Sequence, residues 1–398
     1  METNSPISRR QWFLIALFLL LISAVESAAI QRTFTSQLPS GNDFYPRWAG
    51  AKALLLEGRD PYSPEVTADI EAILDPLQTR TNSFSFAYPL HVIFMLWPLV
   101  YVDYSWAQAI WMVCLQWLII ASGVLLMRQG GWPRTGVAAG TAIFAALFFY
   151  PAARAILLGQ FTLHVLLFLI LAVGALRQKR DGWAGFFLAA TSIKPQMVLL
   201  VGLWLMLWAV WRRRWRFVGS TLASGVGMLA ASLLLFPRWP LSFIEDLGRY
   251  ADRASGLNPL DVLAGALIPG GSAALRWAIT AVLLLLMAWA WWRALRRADD
   301  ALFDHALYWG ITINLLVFLQ TGSTNQILLL LPFAAWLKML YDKWGGWMTG
   351  TAVLILTLTP WILFITTISG NYENPLLLLP LPLLALLVLL GRWRAVIP

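Results

Sequence analysis

Charge is what this chain has least of. Charged residues make up 12% of its 398 positions, about half the share of an ordinary soluble domain. Sulfur chemistry is scarcer still: Cys114 is the sole cysteine and lies in an apolar run, which excludes a disulfide framework or a cysteine metal site. The three histidines, His91, His164 and His305, are far apart, and their spacing matches no metal motif. There is no Walker motif, no Asp-x-Asp pair, no glycine-rich nucleotide loop and no acidic ladder along the apolar segments. A nucleotide-dependent enzyme or an ion pump therefore has little support.

What fills the chain instead is hydrophobic residues, at 59%. Apolar stretches near the ~20-residue spanning length recur many times. A soluble chain could not hide so many in one core, so the fold class is an all-α polytopic membrane protein. The net charge of +9 does not point to nucleic acid. Its basic residues sit mainly in short clusters between apolar stretches, as the positive-inside rule expects.

The first apolar stretch covers about residues 11–30 behind Arg9-Arg10. It is longer than the ~7–15-residue core of a cleaved signal and reads as a retained span with a cytoplasmic start. Later stretches lie at about 88–102, 105–127, 136–150, 161–176, 183–193, 196–211, 217–236, 273–292, 302–320, 326–341, 347–369 and 375–391. Clusters around Arg177–Arg180, Arg212–Arg216, Arg293–Arg297, Lys338–Lys343 and Arg392–Arg394 read as cytoplasmic. Residues 31–87, 237–271, 321–325 and 370–374, with Gly159-Gln160 and Lys194, then fall outside. One conflict remains. Two full crossings in 88–127 would put Arg128 and Arg134 outside, whereas counting back from later clusters puts them inside. Either 88–127 crosses once along a broken path or 136–160 does not cross fully, giving about 11–13 spans.

Residues 1–398 read as a single membrane-embedded domain with two long outer loops, 31–87 and 237–271. The first carries five basic and seven acidic residues. It should hold two short helices. One runs from about Phe44 to Glu57, capped by Asn42 or Asp43, with Pro46 in its first turn and Gly58 at C′. Phe44, Trp48, Ala51 and Leu55 share a face, as in a helix lying in the membrane interface. The other starts at Ser63-Pro64 and ends near Leu74. In the second loop, Phe243, Ile244, Leu247 and Tyr250 have helical spacing opposite Glu245, Asp246, Arg249, Asp252 and Arg253.

A few polar residues stand where chemistry could occur. Asp43, at a helix start beside the membrane, is either an N-cap or a general base, and the roles are compatible. Asp60 lies in Gly58-Arg59-Asp60-Pro61, foremost a turn signal. Arg154, alone between apolar runs, either snorkels or binds an anion. Gln160 is a polar break beside Gly159. Lys194, before Pro195 in a nearly continuous apolar run, favours function, with a phosphate group as partner; snorkelling is the alternative. The polar turn Gln320–Gln326 is either a tight hairpin or part of a polar site. His91 and His164 read as packed side chains.

The order of motifs resembles the glycosyltransferase family 87 membrane proteins, GT-C-fold enzymes similar to polyprenol-phosphate-mannose-dependent mannosyltransferases. The resemblance rests on Asp43-Phe-Tyr-x(5)-Ala51-x-Ala53, Gly58-x-Asp60-Pro61-Tyr62, Tyr88-Pro89-Leu90, Leu158-Gly159-Gln160 and Ile193-Lys194-Pro195. It implies a GT-C-type bundle in the plasma membrane that works on its outer face and transfers a sugar, mannose in the best-known case. The donor would be a polyprenyl-phosphate-linked sugar and the acceptor a lipid or glycan. Asp43 would be the general base of an inverting transfer, Lys194 and Arg154 would face the donor phosphate, and Asp60, Tyr88, Gln160, Asn325 and Gln326 would help bind substrate. No cofactor or metal and no nucleic-acid partner is expected. Two departures stand out. Tyr88-Pro89-Leu90 has one proline where relatives often have two, and the late outer turn carries Asn325-Gln326 where relatives can carry histidines. The rival reading is a non-catalytic lipid or sugar-lipid flippase, which would need the basic residue and the grooves but not the acid.

Overall fold

The computed structural model describes residues 8–37, 41, 43–75, 84–253, 258–268, 273–297, 299–317, 322–369 and 373–396. Asn42, Gln320 and Thr321 lie outside the described residues, as do 76–83, 254–257, 269–272 and 370–372 of the loops expected outside. Among the described residues the regular elements are helical, as the composition predicts.

Helix α1 (Arg9–Ile30) continues as a π-helical turn to Thr35. Its Ser8 cap and Gln11 form a capping box. Most of its large apolar side chains, such as Phe13 and Leu20, are exposed, which is stable only against lipid. α2 (Tyr45–Glu57) and α3 (Pro64–Leu74) follow. Gly58 ends α2 in the left-handed region at φ 68°, and the Ser63 hydroxyl caps α3. The face of α2 that was expected to lie in the interface is instead buried in protein. Phe44 and Ala51 are fully enclosed and Trp48 nearly so, and the Trp48 indole donates to the Leu99 carbonyl at 2.8 Å.

The stretch 88–102 makes no span-length helix. It folds into short turns around α4 (Ile93–Leu96), and α5 (Tyr104–Gln129) is the long apolar helix that follows. This favours the single broken path through 88–127. α6 (Gly136–Phe148) and α7 (Tyr150–Leu158) are bent by 56° at their junction. α8 (Thr162–Arg177), α9 (Asp181–Ala190), α10 (Leu199–Trp211) and α11 (Trp215–Leu235) follow, with α9 packed against both α8 and α11 and α10 against α15 and α11. α9 and α11 approach closely because Gly185 has no side chain; a Cβ there would meet the Phe217 carbonyl and the Thr221 amide nitrogen at 2.7 Å.

α12 (Trp239–Arg253) and α13 (Pro259–Leu267) lie in the second loop. α12 is tied to the first loop by its polar side. The Ser242 hydroxyl donates to Asp60 at 2.7 Å, Asp246 accepts from the Ser85 hydroxyl at 2.9 Å and the Ala87 amide at 3.1 Å, and Arg249 donates to the Tyr62 carbonyl at 2.6 Å. Burial pushes the Asp246 carboxyl above its ordinary pKa, against the pull of Ser85, the Ala87 amide, Arg249 and Arg47. α14 (Ala273–Arg296), α15 (Asp300–Val317), α16 (Leu330–Thr367) and α17 (Pro380–Val396) complete the chain. α16 is two helices joined at a kink, with Gly345 at φ 76°.

Five described helical stretches are long and apolar enough to cross a membrane, and the bent α6–α7 pair makes a sixth. The larger expected number also counted shorter apolar stretches. Three of these form helices of 10–17 residues, at Thr162–Arg177, Leu199–Trp211 and Pro375–Gly391.

Candidate active site

Breaks in these helices, more than the helices themselves, put polar side chains next to one another. α7 ends at Gly159 in the left-handed region, φ 75°. Phe44 packs so closely against it that a Cβ would lie 2.4 Å from the Phe44 Cβ. The Asp43 and Phe44 amides both donate to the Leu158 carbonyl, at 3.2 and 3.1 Å. The Phe44 ring stacks on Trp111, whose indole donates to the Gly159 carbonyl at 3.0 Å. Asp43 is thereby fixed through its backbone to the end of α7. Its expected capping role is not what the structure has: Phe44 occupies the N-cap of α2, and no side chain caps that helix.

Gln160 follows the break. Its Oε1 accepts from the Tyr88 hydroxyl at 3.2 Å and from the Lys194 ammonium at 2.8 Å. Lys194 occupies the break between α9 and α10 and is buried. Asn314 of α15 holds the turn after it. Its amide donates to the Gln196 and Met197 carbonyls at 2.8 and 3.0 Å, and its oxygen accepts from the Leu200 amide at 3.0 Å. Arg47, one turn beyond Asp43, lays its guanidinium 4.5 Å over the Tyr88 ring and comes within 3.9 Å of the Asp43 carboxylate. Asp43 and Arg47 both act electrostatically on Lys194.

Asp43, Arg47, Gln160 and Lys194 line one cavity of about 1020 Å³. Asp43, Tyr88, Arg154, Gln160, Lys194 and Asn325 are all on its wall. Their segments are remote in sequence, and the fold brings them together. Arg154 is not a free cation there. It pairs with Glu373 at 2.5 Å, and that carboxylate also accepts from the Tyr150 and Ser323 hydroxyls at 2.8 and 2.6 Å. Arg276 on the same wall pairs with Asp261 at 3.0 Å. Two expected site residues are engaged elsewhere. Asp60 accepts from the Tyr62 amide and the Ser242 hydroxyl. The buried Gln326 donates to the Leu378 carbonyl at 2.9 Å. Neither is among the residues of the cavity wall. His164 stacks on Trp111 and His91 meets the Ser192 hydroxyl, as packed side chains do.

Sequence reasoning missed Arg47, Glu373 and Asn314. Arg47 had a legible signal, since it lies four residues after Asp43, a spacing that brings the two side chains near one another at a helix start. Glu373 had only a weak one: it is an acid in a turn between apolar stretches, and its partner Arg154 is 219 residues away.

The wall carries Arg47, Arg154, Lys194 and Arg276 against Asp43 and Glu373. This cavity, with its surplus of cationic side chains, sits among helices whose apolar sides are exposed, as in a polytopic membrane protein. The chain belongs to Glycosyltransferase family 87, whose profile matches residues 86–318, more than half of its length. It is a multi-pass membrane glycosyltransferase. Tyr88, Arg154, Gln160 and Lys194 fall within the matched residues; Asp43 precedes them and Asn325 follows them. A comparison with curated proteins gives no match.

Proposed function

We propose that this glycosyltransferase takes its sugar, mannose in the first instance, from a polyprenyl-phosphate-linked donor. It transfers the sugar to a hydroxyl of a lipid or glycan acceptor at the outer face of the plasma membrane. The observation that carries the reading is the meeting of a carboxylate, Asp43, and a buried ammonium, Lys194, on the wall of one cavity. Direct displacement needs those two functions. The Asp43 carboxylate takes the proton of the acceptor hydroxyl. The hydroxyl oxygen forms a bond to the anomeric carbon on the face opposite the phosphate, so the configuration inverts. The bond from the anomeric carbon to the phosphate oxygen breaks, and its electron pair leaves with that oxygen. The phosphate passes from a singly charged diester to a monoester of charge about −2, and Lys194 stabilises the charge that develops. Arg154, on the same wall, adds positive potential that its pairing with Glu373 reduces. The polyprenyl chain runs into lipid-facing grooves between helices, which concentrates the donor in the membrane.

The test is transfer of labelled mannose from polyprenyl-phosphate-mannose to lipid or glycan acceptors by the purified protein in lipid. Asp43→Asn, nearly isosteric but unable to take the proton, should cut turnover by at least about 100-fold, the lower end of what general-base catalysis supplies. Wild-type transfer matched by Asp43→Asn would overturn the assignment of the base. A flippase would move sugar-lipid across vesicles with Asp43→Asn as well as with wild type, and would transfer nothing.

A further inference from the structure

Arg47 is charged and buried. It is 7% exposed. Its guanidinium makes no hydrogen bond among the described residues, and its Nε is enclosed without a partner. Its company is a ring face at 4.5 Å and a carboxylate at 3.9 Å, beyond hydrogen-bond distance. A guanidinium carries five donors in a fixed plane, and leaving a buried charge so poorly bonded is expensive. The other arginines of this wall differ: Arg154 bonds Glu373 and Arg276 bonds Asp261. Lys194 has three donors and, among the described residues, uses one, on Gln160. Arg47 and Lys194 repel one another across the same cavity, so an anion seated between them would relieve both.

We propose that Arg47, with Lys194, is the cradle for the phosphate of the lipid-linked donor, and that the Arg154–Glu373 pair lies outside that cradle. The inference deepens the donor chemistry proposed above and rests on it. Arg47 then serves two groups from one position. Its fork meets phosphate oxygens, and its nearness to Asp43 ties the base to the presence of the leaving group. The Tyr88 ring beneath the guanidinium and Gln160 beneath the ammonium keep the two cations at fixed places on the wall.

The probe is farnesyl phosphate, a short polyprenyl phosphate, titrated into the full-length protein in nanodiscs, with farnesol and inorganic phosphate as separate ligands. Wild type should bind farnesyl phosphate well and farnesol weakly, with inorganic phosphate competing at high concentration. Arg47→Gln should weaken farnesyl phosphate binding roughly tenfold or more, as loss of a charge-assisted hydrogen bond implies, and leave farnesol binding unchanged, which also reports that the variant is folded. Arg47→Lys should recover part of the loss. Arg47→Gln binding farnesyl phosphate as wild type does, while Lys194→Gln loses it, would overturn the role of Arg47 and leave the donor chemistry standing. Wild type that prefers farnesol to farnesyl phosphate would overturn both.

Discussion

At the scale of single residues, the site depends on Gln160. One side-chain oxygen accepts from both Tyr88 and Lys194, so this amide holds the ammonium against the tyrosine that carries Arg47 on its ring. Gln160→Leu removes the acceptor that the buried Lys194 ammonium uses, at about 1–3 kcal/mol. Its thermal midpoint should fall by several degrees. Gln160→Glu keeps the shape but places a carboxylate against Lys194, which spends the positive charge needed for phosphate. Donor KM should rise roughly tenfold or more in Gln160→Glu with little loss of stability. Steady-state kinetics and a melting curve separate the two effects, and an unchanged KM in Gln160→Glu would show that Lys194 does not meet the donor. Gln160 and Lys194 could be picked out in the sequence because polar residues in apolar runs are costly and therefore visible. The spacing of Arg47 from Asp43 was legible but its burial was not, because an arginine in an amphipathic helix usually marks a solvated face, and its burial follows from tertiary packing of α2 that composition does not encode.

At the scale of elements, helix ends were easier to read than helix environments. Ser63-Pro64 and Gly58 gave the start of α3 and the end of α2 correctly, since caps are local chemistry. Asp43 as a cap was not borne out, because the backbone turns one residue later and Phe44 takes that position. The break at Lys194-Pro195 was visible, but what stabilises it was not. Asn314, 1% exposed in the last turn of α15, satisfies two carbonyls and one amide that the break leaves unpaired. An asparagine there has no periodicity to betray such a role. Asn314→Leu fills the same space without those bonds. It should destabilise the protein by about 2–4 kcal/mol and raise donor KM, because Lys194 is carried by the turn that Asn314 fixes. Asn314→Asp, which keeps the acceptor but not the donors, should fall between. Wild-type donor KM in a folded Asn314→Leu would show that the turn holds its place without it.

At the scale of the whole molecule, the sequence revealed an apolar helical bundle but not its convergence. Asp43, Tyr88, Gln160, Lys194 and Asn325 share a wall because α7, α9 and α15 each end or break at it, and no local pattern says that separate breaks will meet. The two poles of the molecule carry different chemistry. At one, α12 is bonded to the first loop through Asp60, Ser85 and Tyr62. The segment ends near Arg177 and Arg214 are instead joined by pairs with Asp304 and Asp181. Arginine-rich ends favour the cytoplasmic side by the positive-inside rule, and in the proposed function the cavity and its loops accordingly face outward. That placement decides which leaflet supplies the donor, and cysteine labelling in whole cells tests it directly. The sole native thiol is removed by Cys114→Ser. Glu57→Cys, at the exposed end of α2, should then react with a membrane-impermeant maleimide in intact cells. Lys179→Cys, exposed between α8 and α9, should react only after the membrane is opened. The reverse order of labelling would turn the molecule over. The catalytic cavity would then face the cytoplasm, and the donor would have to be drawn from the inner leaflet.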